Sequence, residues 1–151
     1  MKKYSFVLFI SAFLLTKLSF AQFYNGLTLQ ETKIQRLADL LEPGAILIIG
    51  ELHGVQSHRD QHMQILNLLR FWDRGVSVGL EFLNYTDQNF VEEYRKNNLS
   101  EEQFLKAVKW GGIDFKYYRD QLNFPIIENG EKSVALNLSR TITSKISKSG
   151  L

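Results

Sequence analysis

The side chains most suited to chemistry in this chain lie close together. All three histidines fall in the stretch that begins Glu51-Leu52-His53-Gly54 and continues through His58 to His62. Glu81, Asn137 and Arg140 follow further along. Paired carboxylates and up to three imidazoles suit two kinds of work. They can hold a borderline divalent metal such as zinc, for which Glu51, His53 and Glu81 are the expected ligands, or they can serve as general acid and base. His58 and His62 are further candidates. His62 also fits the description of a hydrogen-bonded core histidine, because it shares a helical stripe with Ile65 and Leu69. Arg140 is suited to an anion or to covering the last turn of a strand, and Tyr117 and Tyr118 read as packing residues of an aromatic face.

Certain elements must position these groups. Ala45 to Gly50 is an apolar, β-branched run after the breaker Glu42-Pro43-Gly44, the pattern of a strand covered on both faces. Beyond it the polarity inverts. Ser57 is the expected N-cap of a helix from His58 to Trp72, whose apolar stripe is His58, His62, Ile65, Leu69 and Trp72. Val76 to Phe82 reads as a second buried strand with Glu81 near its end, and Ser133 to Leu138 as a third with Asn137 and Arg140 at its carboxyl end. A helix over Leu29 to Leu41 precedes the first strand. Between the second and third, Thr86 or Asp87 caps a helix through Phe90, Val91 and Tyr94. Ser100 and Gln103 have capping-box spacing for another, and Ile113 to Asn129 reads as helical with Pro125 kinking or splitting it. Ser139 or Thr141 starts a last helix.

This order predicts an α/β fold: a layered sandwich with a mainly parallel sheet, crossover helices and a helical insertion between the second and third strands. Ligands of such sheets bind beyond the carboxyl ends of the strands. Glu51 and His53, then Glu81, then Asn137 and Arg140 are each expected at one of those ends. Three parallel strands with an unfinished crossover would leave an open edge, so the chain is expected to be the N-terminal portion of a longer, truncated domain.

Composition narrows the setting. Residues 1–21 have a basic start, an apolar run from Tyr4 to Leu15 and small residues at Ser19 and Ala21, as in a secretory signal peptide cleaved after Ala21. The run is short for a membrane anchor, and Lys17 interrupts its end. Residues 22–151 are then the folded domain, exported to the periplasm or outside the cell. Losing Lys2, Lys3 and Lys17 takes the formal charge of +2 to −1, so the basic pI of 8.8 belongs to the leader. No basic stripe with interleaved aromatics remains, which argues against a nucleic-acid partner. The chain has no cysteine, so disulfides and a lipidated N-terminal cysteine are excluded.

The motifs GELHG, GLEF and VALNLSR, in that order and each at a predicted strand end, resemble the ChaN family of haem-binding uptake proteins within the Tiki superfamily. The resemblance covers Leu37 to Leu151. It implies a periplasmic or outer-membrane-associated protein that binds haem for iron uptake, pairs as a homodimer around stacked haems and works with outer-membrane uptake machinery. Glu51, His53, His58, His62, Glu81, Asn137 and Arg140 are the implied haem-site residues. Haem needs a broad apolar surface and an axial ligand, commonly His or Tyr, and the aromatic stretches Phe82 to Tyr85 and Trp110 to Tyr118 are suited to supply that surface. The wider superfamily implies an alternative, a metal-dependent protease or an esterase of the erythromycin-esterase type, with Glu51, His53 and Glu81 catalytic. Taken alone, the glutamate and histidine constellation favours the hydrolase.

Overall fold

The structure is a computed structural model that describes residues 23–149. The expected signal peptide lies outside the described residues. The chain divides into two units, Met1–Thr32 and Lys33–Leu151. In the first, β1 (Phe23–Tyr24) pairs antiparallel with β2 (Glu31–Thr32). The turn between them is closed by Asn25, whose Oδ1 accepts the N–H groups of Leu27 (2.9 Å) and Thr28 (3.0 Å).

The second unit begins with a short helix, α1 (Arg36–Leu40). The helix expected over Leu29 to Leu41 is therefore reduced to its second half. Leu29 has φ +55° and the next residues enter β2, so the helix cannot start before them. The larger correction concerns Ala45 to Gly50, where no strand forms. Ile46 and Ile48 stand 86% and 88% exposed. Strand propensity is realised only against a paired neighbour, and among the described residues no strand offers one.

Next comes α2 (Gln56–Phe71), which starts before the expected cap. Its N-cap is Val55 rather than Ser57. Of the expected stripe His62, Ile65 and Leu69 are buried, joined by Leu66, while His58 and Trp72 at its two ends are half-buried. β3 (Val78–Asn84) is displaced two residues toward the C-terminus from the expected range, and β4 (Ser133–Asn137) runs parallel to it. The pairing is irregular between Leu80 and Asn84. There Leu80 and Leu83, three positions apart rather than two, are both buried.

Residues 85–129 form the helical crossover a parallel pair requires. A 3₁₀ turn at Tyr85–Asp87 leads into α3 (Gln88–Arg95), and α4 (Glu101–Ala107) follows. The capping box of α4 forms: Ser100 Oγ accepts the Gln103 N–H at 3.2 Å and Gln103 Oε1 accepts the Ser100 N–H at 2.8 Å. Ile113 to Asn129 is not one kinked helix. It is broken into a 3₁₀ turn at Phe115–Tyr117, α5 (Arg119–Asn123) and another 3₁₀ turn at Ile127–Asn129, with Pro125 in the gap. α6 (Arg140–Ser149) ends the described chain. Gln88 braces the sheet edge like a neighbouring strand: its Nε2 donates to the Ser133 carbonyl (3.0 Å) and its Oε1 accepts the Ala135 N–H (2.9 Å).

The core lies between this parallel pair and the crossover helices. Leu80, Leu83 and Ala135 from the strands meet Val91, Phe104, Val108, Phe115, Tyr118 and Leu122. Phe104 and Leu122 are fully buried, so truncating Phe104 to alanine is expected to cost about 3–5 kcal/mol. α2 is tied to α5 by ion pairing of Arg59 with Asp120 and by a His62–Gln121 hydrogen bond.

Candidate functional site

A cleft of about 570 Å³ opens at the carboxyl ends of β3 and β4. The last residues of the two strands, Asn84 and Asn137, both line it and are paired in register. Its apolar wall comes from Phe82, Val108, Trp110, Ile113 and Tyr118. The rings lock one another in place. Phe82 packs edge-on to Trp110 at 5.4 Å and against Tyr118 at 4.1 Å. The Trp110 indole N–H donates to the Ile113 carbonyl at 2.7 Å. Both aromatic stretches singled out in the sequence therefore meet at one cavity.

His53 lines the same cleft and is about half exposed. Its Nδ1 lies 2.9 Å from Glu51 Oε1. A carboxylate only accepts, so Nδ1 is the donor in this contact, and the neutral ring in that tautomer carries its lone pair on Nε2. The Tyr118 hydroxyl is 3.2 Å from the same Nδ1. The other oxygen of Glu51 is 3.4 Å from His62 Nδ1, which also meets Gln121 Nε2 at 3.1 Å. His62 Nε2 is buried and has no hydrogen-bond partner among the described residues.

Tyr118 is the hub that the sequence did not reveal. Burial, first, and the Glu51 carboxylate beside it push its phenol up to about 12, while the Gly54 N–H pulls in the other direction. Glu51, His53 and Gly54 of one motif thus converge on a residue 65 positions from His53. Gly54 turns the chain at φ +76°, a conformation that favours glycine. No local pattern in the sequence distinguishes Tyr118 from its packing neighbour Tyr117, or picks out Gln121.

The remaining candidates are placed elsewhere. His58 Nδ1 accepts the Leu52 N–H at 2.9 Å and so fixes the turn into α2. Glu81 is the fourth residue of β3 rather than its last and is exposed, and its side chain has no hydrogen bond or ion pair among the described residues. Arg140 is the first residue of α6. Among the described residues no group of three or more His, Cys, Asp or Glu side chains is arranged to hold a metal ion. No described helix is long and apolar enough to cross a membrane.

Comparison with known proteins adds a family. The model described as haem-binding uptake, Tiki superfamily, ChaN matches residues 37–151. Among solved structures the chain is similar to one described as cofacial heme binding to ChaN of Campylobacter jejuni, at 25% identity and a TM-score of 0.47. The match covers 68% of this chain and 42% of that one, so this chain spans less than half of that protein's length. No curated protein matches.

Proposed function

The chain belongs to the ChaN family of haem-binding uptake proteins, and from that membership we propose that it binds haem in the cleft at the ends of β3 and β4. The carrying observation is the combination of a rigid aromatic wall with an imidazole whose Nδ1 is taken by a carboxylate. The volume of about 570 Å³ is in the range of small-molecule and cofactor sites. Phe82, Trp110 and Tyr118 would supply apolar surface to the porphyrin, and His53 Nε2 would hold the iron. Haem itself brings an iron centre to be captured for uptake.

The work of the protein is positional. Glu51 holds the His53 tautomer and ring orientation, and a carboxylate in that place makes an imidazole a stronger donor. Tyr118, kept protonated, donates to the carboxylate without competing for iron. Asn84 and Asn137 give the cleft its polar end. We further propose that the chain is exported behind a cleaved leader and that haem binding is coupled to pairing of two subunits for hand-over to outer-membrane uptake machinery.

Titrating haemin into the protein is expected to produce a shifted Soret band. His53→Ala is expected to move that band and weaken binding while leaving the circular dichroism spectrum unchanged. A Soret band that stays at its free-haemin position across the titration would sink the proposal.

A further inference from the structure

A second groove, of about 270 Å³, lies at the opposite end of β4 from the cleft, beside Lys132 and the first strand residue, Ser133. Its other wall is the face of α3 that carries Gln88, Val91 and Arg95, spaced so that they stand one above another. Gly130 turns the chain along the rim at φ +75° and adds no side chain.

The acidic and neutral groups lining this groove already have partners. Arg70 takes both oxygens of Glu131, Gln88 is engaged at both amide atoms by β4, and the Ser133 hydroxyl donates to the Leu122 carbonyl at 2.5 Å. The cations are in the opposite condition. Lys132 is exposed, and no described carboxylate lies within ion-pair distance of it or of Arg95. The Arg95 guanidinium reaches the Pro125 carbonyl, which occupies one part of a fork with several N–H donors. Burial pulls the Arg95 pKa below the usual arginine value, against the influence of Glu131 and Glu128. Lys96 adds a third charge and meets Glu93 only at 3.8 Å. Basic residues are favoured in the last turn of any helix, which accounts for Arg95 and Lys96 but not for Lys132, contributed by the turn on the other side.

We propose that this groove binds a phosphate monoester, with Arg95 and Lys132 gripping the phosphoryl oxygens from two sides and Ile127 touching the organic part. A phosphoryl group carries close to two negative charges at neutral pH and three acceptor oxygens, which suits cations converging from separate elements better than a single carboxylate does. Arginine meets such a group as a planar fork and lysine as a point charge. The chemistry is the same for a free ester and for a lipid headgroup.

The test titrates the whole chain at fixed ionic strength, so that screening is constant. The probes are phenyl phosphate and benzoate, read by calorimetry, and phosphatidylcholine vesicles with and without phosphatidic acid, read by co-sedimentation. Phenyl phosphate is expected to bind about tenfold more tightly than benzoate, and Lys132→Gln to weaken it about tenfold, the value of one charge-assisted hydrogen bond. The melting temperature of Lys132→Gln should match wild type. Arg95→Gln is expected to lose more affinity, but it also gives up the Pro125 contact, so Lys132→Gln decides the matter if that variant does not fold. Binding of phenyl phosphate without sedimentation on phosphatidic acid identifies a free ester; sedimentation that needs both phosphatidic acid and Lys132 identifies a headgroup. Benzoate bound as tightly as phenyl phosphate, no binding of either phosphate form, or affinity undiminished in Lys132→Gln would overturn the inference. Displacement of phenyl phosphate by haemin would place it in the cleft and overturn it too.

Discussion

Two carboxylates of this chain are almost equally withdrawn from water, with side chains 14% exposed for Glu51 and 5% for Glu131, yet their surroundings are opposite in kind. Glu131 faces a permanent cation. Arg70 from α2 grips it at 2.5 and 2.6 Å, the Ile126 N–H donates to it at 2.7 Å, and the guanidinium lies over the Phe124 ring at 5.0 Å. Glu51 faces His53, His62 and Tyr118, none of which carries a fixed charge. One carboxylate is saturated and joins α2 to the chain two residues before β4. The other leaves ring nitrogens unspent on His53 and His62, which is the condition for taking up something else. Burial alone does not separate a structural carboxylate from a functional one; the partners do.

The largest way to break the contrast is to remove the structural partner. Glu131→Ala leaves Arg70 uncompensated and is expected to destabilise the fold by about 3–5 kcal/mol. Chemical denaturation should show that loss, and the haemin affinity of the folded fraction should not change. A Glu131→Ala protein as stable as wild type would show that the pair is dispensable.

Acid sharpens the same contrast. Hydrogen bonds from Arg70, first, hold the Glu131 carboxyl down at about 2. Its folded pKa is below its unfolded one, so its stabilisation is complete above the usual carboxylate range, near 4.5, and is lost as pH falls through 2. The difference is about 3 kcal/mol. Denaturation midpoints measured at falling pH should decline through that window in wild type and decline less in Glu131→Gln. Parallel curves for the two proteins would show that other carboxylates dominate.

The smallest expected effect belongs to Glu51. Glu51→Gln keeps the shape of the side chain and removes the charge that holds His53 Nδ1–H, so haemin affinity should fall about 10- to 100-fold, as when a ligand's supporting carboxylate is lost. Stability should change little, because none of the partners is a permanent cation like Arg70. The Tyr118 phenol, now raised partly by that carboxylate, should titrate at lower pH in Glu51→Gln, read as tyrosinate absorbance. Strong destabilisation with unchanged haemin affinity would make Glu51 a second Glu131.

Legibility followed the range of the interactions involved. The Ser100–Gln103 capping box and the buried stripe of α2 were readable because their partners lie within a turn or two. Two apolar runs of similar composition fared differently. Val78–Asn84 became a strand because Ser133–Asn137 lies beside it, whereas Ala45–Gly50 has no strand partner among the described residues. Ser57 is not a cap because the helix begins at Gln56, which puts Ser57 inside its first turn. Glu81 read as a strand-end residue until β3 proved to extend three residues beyond it.

By itself the sequence determined the α/β order, the helical crossover between the parallel strands, the concentration of imidazoles around Glu51 and the family motifs. These depend on periodicity, local capping and residue type. Tertiary structure decided which of those groups meet. It brought Tyr118 and Gln121 to Glu51, His53 and His62, and set the aromatic stretches around one cleft. It also sent His58 to a turn and left Glu81 on the surface. The physical reason is that contacts between residues some 60 positions apart are fixed by how helices dock on a sheet, and docking leaves no periodic trace in the chain.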